Sequence, residues 1–295
     1  MKERNAVIIT NGAPLLWGLC FIFQGEAANK IGPFAYGGAR MLLGAFSLLP
    51  FLLMGIKKNK NNPTYLKNLL LGSLFCGAAT CFACSFQQYG IMTTSAGKAG
   101  FLSSLYVLIV PVLALLVKKK PTLKTWICIF TGFIGAFLIS FNPGEISIAK
   151  GDIFVLISSF GFAVQIMFID RFSKYLTGPD LCFGQFFTAG VLSVLCALIS
   201  KEPFSFSMIN NTRISILYSG IVSCGIAYTL QIIGQKNLNP TKATLILCLE
   251  SVYALLFDMI INSAMLKPQE AIGCLVLFAS VFVCQIPEKR RKITS

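Results

Sequence analysis

Ten runs of apolar residues, each about as long as a membrane-crossing helix, leave this chain few folds to choose from. They are Ala6 to Gln24, Pro33 to Met54, Leu69 to Gly90, Ala99 to Val117, Thr125 to Ser140, Gly151 to Asp170, Leu181 to Ile199, Ile214 to Gly234, Ala243 to Asn262, and Ala271 to Ile286. A hydrocarbon core about 30 Å thick needs about 20 helical residues at 1.5 Å of rise each. Ten such helices fill about two thirds of a chain this long and leave only short connections and two tails. Charged residues make up 12% of the chain and hydrophobic ones 55%, whereas a soluble domain carries about a quarter charged residues to cover its surface. A disordered chain, a secreted disulfide scaffold and a cytosolic two-domain enzyme are excluded together. The expected fold class is an all-α membrane protein of ten transmembrane helices.

The positions of Lys and Arg orient the helices, because cytoplasmic connections hold the excess of basic residues. With both termini cytoplasmic, the external connections hold Lys30, Lys98, Lys150, Lys201, Arg213 and Lys267, and Arg40 lies within a span. The other 18 of the 25 basic residues then face the cytoplasm, among them Lys57, Lys58, Lys118 to Lys120 and the terminal Lys289, Arg290, Arg291 and Lys292. The net charge of +14 is thereby spread over inner-face loops, where it meets anionic lipid, and nucleic acid is not an expected partner. The first helix has a basic start without a small-residue cleavage site, so it reads as an uncleaved span.

The chain divides into two halves of five spans, residues 1–145 and 150–295, at a connection broken by Pro143 and Gly144. An odd number of spans makes the second half enter the membrane from the opposite face, which is an inverted repeat around a central cavity. Weak internal matches agree. Gly32-Pro33 corresponds to Gly178-Pro179 and Gly44 to Gly190 at an offset of 146. Lys98-Ala99 corresponds to Lys242-Ala243, Gln87 to Gln231 and Gly90 to Gly234 at an offset of 144.

Polar side chains in hydrocarbon are costly unless they face a partner or a cavity, so those inside spans are the candidate functional residues. Counting helical rise puts Glu250 about 10 to 12 Å from the cytoplasmic end of its helix and Arg40 about 10 Å from the external end of its own. Glu250 is then near the midplane, where a carboxyl group can bind a cation or exchange a proton; the alternative is a hydrogen-bonded acid buried in packing. Arg40 reads first as a structural ion pair or a clamp on carbonyl groups, and second as a substrate contact. Asp258, two turns beyond Glu250, is near the external headgroups. Gln87, Gln88, Gln165 and Gln231 offer amides that suit a polar solute, and adjacent Gln87 and Gln88 diverge by about 100°, so one of the two at most needs to face a cavity. Gln185 is a further polar group in the seventh span. Trp17 lies mid-helix, where its indole N–H needs a partner, and a cavity wall would supply one.

Catalytic signatures are missing from the sequence. There is no P-loop, H-E-x-x-H, G-x-S-x-G or dinucleotide fingerprint, and the chain has no histidine, which removes the commonest general base. Cys81 and Cys84 form a C-x-x-C pair, but with no second pair the 11 cysteines read as packing residues and not as a metal site. No enzyme activity, metal or cofactor is expected.

Several stretches resemble the ten-helix, EamA-type members of the drug/metabolite transporter superfamily. They are Leu16-Trp17-Gly18, Gly32-Pro33-Phe34, Arg40 to Ala45, Gln87-Gln88-Tyr89-Gly90, Thr94 to Leu102, Leu105-Tyr106-Val107 with Val110-Pro111, Gly151-Asp152, Gln165, Asp170-Arg171 and Leu249 to Ala254. The resemblance covers essentially the whole chain. The family often ends its ninth helix with Gly-Glu, where this chain has Ser263 and Ala264, and a preceding family glycine is Asp258 here. Any role of that glutamate is absent from this chain. The resemblance implies a secondary carrier with a central cavity, alternating access, and amino acids, nucleotide-related metabolites or drugs as solutes.

The resulting expectation is a carrier that moves a small organic metabolite, an amino acid or related solute, across the cell membrane. The expected partners are a small-molecule solute and membrane lipid; the oligomeric state is not set by the sequence, and a monomer is compatible with it. The alternatives are a flippase for a lipid or lipid-linked sugar, and a non-transporting membrane scaffold, which has no need of polar groups at matching depths. The charge asymmetry makes one direct prediction. A reporter fused after Ser295 is cytoplasmic and one in the Asn142 to Lys150 connection is external; finding both on one side removes the inverted repeat.

Overall fold

The computed structural model describes residues 1–94, 96–140, 149–203, 205–263 and 265–286. Pro143 and Gly144 of the expected boundary, the basic residues Lys289, Arg290, Arg291 and Lys292, and Ser95 and Ala264 of the resemblance lie outside the described residues. Ten helices are long and apolar enough to cross a membrane: α1 (Glu3–Ala27), α2 (Pro33–Lys58), α3 (Pro63–Ile91), α4 (Lys98–Leu116), α5 (Leu123–Ser140), α6 (Lys150–Phe172), α7 (Gly178–Ile199), α8 (Arg213–Gln235), α9 (Pro240–Ile261) and α10 (Pro268–Gln285). A six-residue helix, Phe206–Asn211, precedes α8. Among the described residues there is no strand.

Most of the helices run a turn or so past the apolar runs because their ends are capped and need not be apolar. In α3 the Oδ1 of Asn62 accepts from Thr64 N at 3.1 Å and Tyr65 N at 3.2 Å, and Pro63 starts the helix, whose first turn then reaches Lys67 ahead of the apolar run. Proline also lies in the first turn of α2, α7, α9 and α10, where its missing N–H costs no hydrogen bond and its fixed φ suits a helix. For α2 a distant residue completes the cap: the Glu202 carboxylate accepts from Ala35 N at 2.9 Å, Phe34 N at 3.3 Å and the Tyr89 hydroxyl at 3.0 Å.

The helices bury many of their small and polar residues and turn many large apolar ones outward. On α2, Gly37, Gly38, Arg40, Gly44 and Ala45 are buried, while Phe46, Phe51, Leu53 and Met54 are exposed. This inversion fits a lipid solvent, in which apolar surface gains nothing by burial and helices associate through close packing. α5 and α10 show how close. A Cβ on Gly135 would lie 2.7 Å from Leu277 N, and one on Gly273 would lie 2.7 Å from Gly135 O.

The heaviest packing pairs α2 with α7, α3 with α6 and α7, α5 with α10, α1 with α8 and α9, α2 with α8, and α4 with α6. Advancing each number by five, cyclically, converts this set into itself. Pairs α2/α7 and α5/α10 map onto themselves, α3/α6 onto α8/α1, and α2/α8 onto α7/α3. Two ion pairs follow the same rule. Lys98 at the start of α4 pairs with Asp152 in the first turn of α6 at 3.5 Å, and Lys242 at the start of α9 pairs with Glu3 in the first turn of α1 at 3.0 Å.

The glycine contacts yield a stability prediction. Gly135→Leu and Gly273→Leu each force backbone apart between α5 and α10 and cost about 1 to 3 kcal/mol, seen as a lower melting temperature in detergent. Gly25→Ala, whose Cβ meets nothing within 4 Å, leaves melting unchanged or raises it; equal losses in all three refute the packing argument.

Candidate functional site

A cavity lined by polar and aromatic side chains lies where α1, α2, α3, α4, α6, α8 and α9 converge. α1 contributes Trp17, Phe21 and Gln24; α2 contributes Arg40; α3, Cys84 and Gln87; α4, Tyr106; α6, Phe162, Gln165 and Ile166; α8, Ser223, Tyr228 and Gln231; and α9, Leu247 and Glu250. Its free space is about 40 Å³, room for roughly three waters at about 10 to 15 Å³ each. An apolar space of about 480 Å³, lined by Phe34, Phe82, Phe86 and Phe154 among others, shares no residue with it.

Local structure aims these side chains inward. Trp17, Phe21 and Gln24 recur at helical spacing on one face of α1. α4 and α9 each tighten just before their cavity residue: Leu105 (φ −59°, ψ −14°) precedes Tyr106, and Leu249 (φ −61°, ψ −11°) precedes Glu250. Pro111 is inside α4 and has no counterpart in α9, so it is not the common cause. α8 is π-helical over Tyr218–Ala227, a wide winding frequent at functional sites, and it is this stretch that supplies Ser223.

The wall is part satisfied and part open. The Tyr106 hydroxyl donates to Glu250 Oε1 at 3.4 Å. Gln87 Nε2 donates to Ser103 Oγ at 2.9 Å, and Gln165 Nε2 to Gln185 Oε1 at 3.2 Å. Tyr228 packs its ring 4.6 Å from that of Trp17 and 4.8 Å from that of Phe186. Trp17 Nε1, Gln24 Oε1, Arg40 Nε and Gln231 Oε1 are buried without a hydrogen-bond partner.

Six residues singled out from the sequence therefore meet on one cavity: Trp17, Arg40, Gln87, Gln165, Gln231 and Glu250. Gln88 does not join them; it is buried behind the wall with its Nε2 donating to Gln24 O at 3.2 Å. Asp258 is half-buried further along α9 and outside the lining. Arg40 forms neither the ion pair nor the carbonyl clamp expected of it, and its guanidinium lies over the Tyr36 ring at 5.3 Å. Cys81 and Cys84 are buried thiols. Gln24, Tyr106 and Tyr228 were missed. Two signals could have found them: Gln24 lies seven residues after Trp17, and Tyr106 lies 144 residues before Glu250.

That offset recurs around the wall. Gln87 and Gln231, Cys84 and Tyr228, and Tyr106 and Glu250 are each 144 apart, while Trp17 and Phe162, and Phe21 and Ile166, are each 145 apart. Corresponding residues also touch across the centre: besides Tyr106 and Glu250, Cys248 Sγ approaches Ser104 O at 3.7 Å.

Ten helices long and apolar enough to cross a membrane, found among the described residues, define a multi-pass integral membrane protein. Comparison with known proteins makes the class specific. The model of the EamA-like transporter family matches residues 4–141 and again 149–285, and the chain belongs to that family. An uncharacterized transporter of Archaeoglobus fulgidus is 27% identical over 274 residues, covering 92% of this chain and 83% of its own. The uncharacterized transporter YoaV of Bacillus subtilis is 21% identical over 283 residues, covering 95% and 96%. A crystal structure of a protein with 17% sequence identity matches 96% of this chain and 97% of its own with a TM-score of 0.76, a likeness of fold alone. The protein is a membrane transporter.

The Tyr106 to Glu250 contact predicts a difference between two substitutions. Glu250→Gln keeps an acceptor for the buried hydroxyl and melts near the parent temperature. Glu250→Leu leaves that hydroxyl unpaired and costs about 1 to 3 kcal/mol. Equal melting of the two variants in detergent excludes the hydrogen bond as a stabilising contact.

Proposed function

We propose that this protein is a secondary carrier that moves a small polar organic solute, an amino acid or related metabolite, across the cell membrane by alternating access. The observation that carries the reading is the cavity, which gathers amides, aromatic rings, one acid and one guanidinium from seven helices at the centre of a lipid-soluble bundle. A scaffold has no use for such a wall, since polar groups at this depth are costly unless a solute or water meets them. A free space of about 40 Å³ favours a small solute over the headgroup of a lipid-linked sugar.

The two halves, 1–145 and 150–295, are read as inverted five-helix repeats, with both termini cytoplasmic. The exchange of helix pairings on advancing by five, the 144-residue spacing around the cavity and the matched ion pairs all support this reading. Under it, Lys98 to Asp152 ties the external ends of α4 and α6, and Lys242 to Glu3 ties the cytoplasmic ends of α9 and α1. Each inverted repeat would open as its counterpart closes, with the solute at their interface.

Untargeted metabolite profiling of cells with and without the protein, followed by uptake into liposomes, tests the carrier. The solute that changes in cells is expected to enter protein-containing liposomes with saturation; no flux of any solute refutes the proposal. Trp17→Leu, Gln87→Leu, Gln165→Leu and Gln231→Leu are each expected to lower uptake about ten-fold or more, at about 1.4 kcal/mol per factor of ten, while elution from a sizing column stays unchanged. Normal uptake in all four means these side chains only pack.

A further inference from the structure

Arg40 is the outstanding electrostatic feature of the cavity. The residue is only 4% exposed and borders the cavity, yet among the described residues it makes no hydrogen bond and no ion pair, and its Nε is buried without a partner. Its cation lies over the Tyr36 ring at 5.3 Å, and the Tyr36 hydroxyl is already engaged with Ser219 Oγ at 2.6 Å. The acid on the same wall, Glu250, bonds to Tyr106 and does not reach Arg40; Tyr228 is the residue near both charges. A guanidinium keeps its charge in any protein setting and is strongly destabilised in low dielectric without a counter-charge. An aromatic face offsets part of that destabilisation and leaves every N–H unpaired.

We infer that the Arg40 end of the cavity is an anion subsite, which takes the carboxylate of a small organic solute. The planar fork of a guanidinium matches a carboxylate in a two-point pairing, and the unpartnered indole N–H of Trp17 is a second donor on the same wall. Other buried unpartnered atoms on the wall have the opposite character: Gln24 Oε1 and Gln231 Oε1 are acceptors, and the Glu250 carboxyl lies on the α9 side. The solute class is therefore a carboxylate whose other end donates hydrogen bonds. This deepens the carrier reading and rests on its assignment of the cavity as the solute site.

The test uses the full chain with Trp126→Phe, outside the cavity, so that Trp17 is the sole indole and reports from the wall. Its emission is titrated in detergent with glycine, glycolate and acetate, with glycinamide and acetamide as neutral-ended counterparts, and with chloride. At least one carboxylate is expected to give a saturable change, with its amide at least ten-fold weaker. Arg40→Gln is expected to abolish the response, and Arg40→Lys, which keeps the charge and loses the fork, to weaken it about ten-fold, near the 1.4 kcal/mol of one charge-assisted hydrogen bond. No saturable carboxylate response, an equal response to the amides, a response to chloride alone, or one unchanged by Arg40→Gln overturns the proposal. If neither Arg40 variant folds, the comparison of acids with amides still decides. Binding without flux in liposomes refutes the carrier and leaves the subsite standing; flux of a solute with no anionic group refutes the subsite and leaves the carrier.

Discussion

A hydrocarbon solvent has no hydrogen bonds to offer, and that constraint organises the molecule. Polar side chains within the spans must find partners inside the protein or face a cavity. Most hydroxyl groups meet the condition on their own helix: Thr10 donates to Ala6 O at 2.7 Å, Ser158 to Val155 O at 2.6 Å and Thr244 to Thr241 O at 2.8 Å. Glutamines are too long for this and reach across helices, as Gln165 reaches Gln185 and Gln235 reaches Ile166 O at 2.7 Å. The unmet atoms on the cavity wall belong to long side chains from three separate helices. Local hydrogen bonding cannot satisfy such groups, and the space between them is where a solute would.

The same constraint explains how much could be read from the sequence. The ten spans were legible because apolar length is close to a direct measure of membrane thickness, and the observed helices contain nearly all of every run. The cavity was partly legible, since Gln87, Gln165, Gln231 and Glu250 stand out against an apolar background. Tyr106 and Tyr228 do not stand out, because a tyrosine in an apolar run reads as another ring. Gln24 escaped notice at the edge of its run, where a polar residue looks like the end of a helix. The surroundings of Arg40 were not legible for a different reason. Charge and depth follow from sequence, but whether an acid lies within reach depends on which helices touch, and Arg40 lies over Tyr36 of its own helix and near Cys84 and Cys224, with no carboxylate paired to it among the described residues. Nor does the matched tightening at Leu105 and Leu249 have a sequence signature, as both are good helix formers.

The internal correspondence gains weight from being distributed over independent levels. Matching glycines alone are within the reach of chance. Here offsets of 144 or 145 residues relate cavity residues and backbone dihedrals, the ion pairs correspond at 144 for their lysines and 149 for their acids, and the helix pairings fall into the same scheme. Arg40 stands outside it: its counterpart at the 146 offset is Phe186, which is fully buried against Tyr228. A duplicated scaffold thus carries an asymmetric charge, and a cavity built from equivalent halves acquires one cationic end. That asymmetry is what a solute with two chemically different ends requires.

The alternating access proposed above asks that some contacts part easily while others hold, and the bundle contains contacts of both kinds. Lys98 to Asp152 and Lys242 to Glu3 are partly solvated pairs, a kind worth about 0 to 1 kcal/mol each. Either can be exchanged for water at little cost once its end of the bundle meets solvent. The self-corresponding contacts are of another kind. α5 and α10 meet backbone to backbone at Gly135 and Gly273, and α2 and α7 mesh through Gly38 against Val194 and Gly190 against Leu42. Such close packing tolerates rocking about the contact and resists separation, because a gap opened in it has neither water nor lipid small enough to fill it. Under the proposed inverted repeat, the pairs that map onto themselves would lie on the axis relating the halves, so a motion that opens one end and closes the other could turn about them without breaking them.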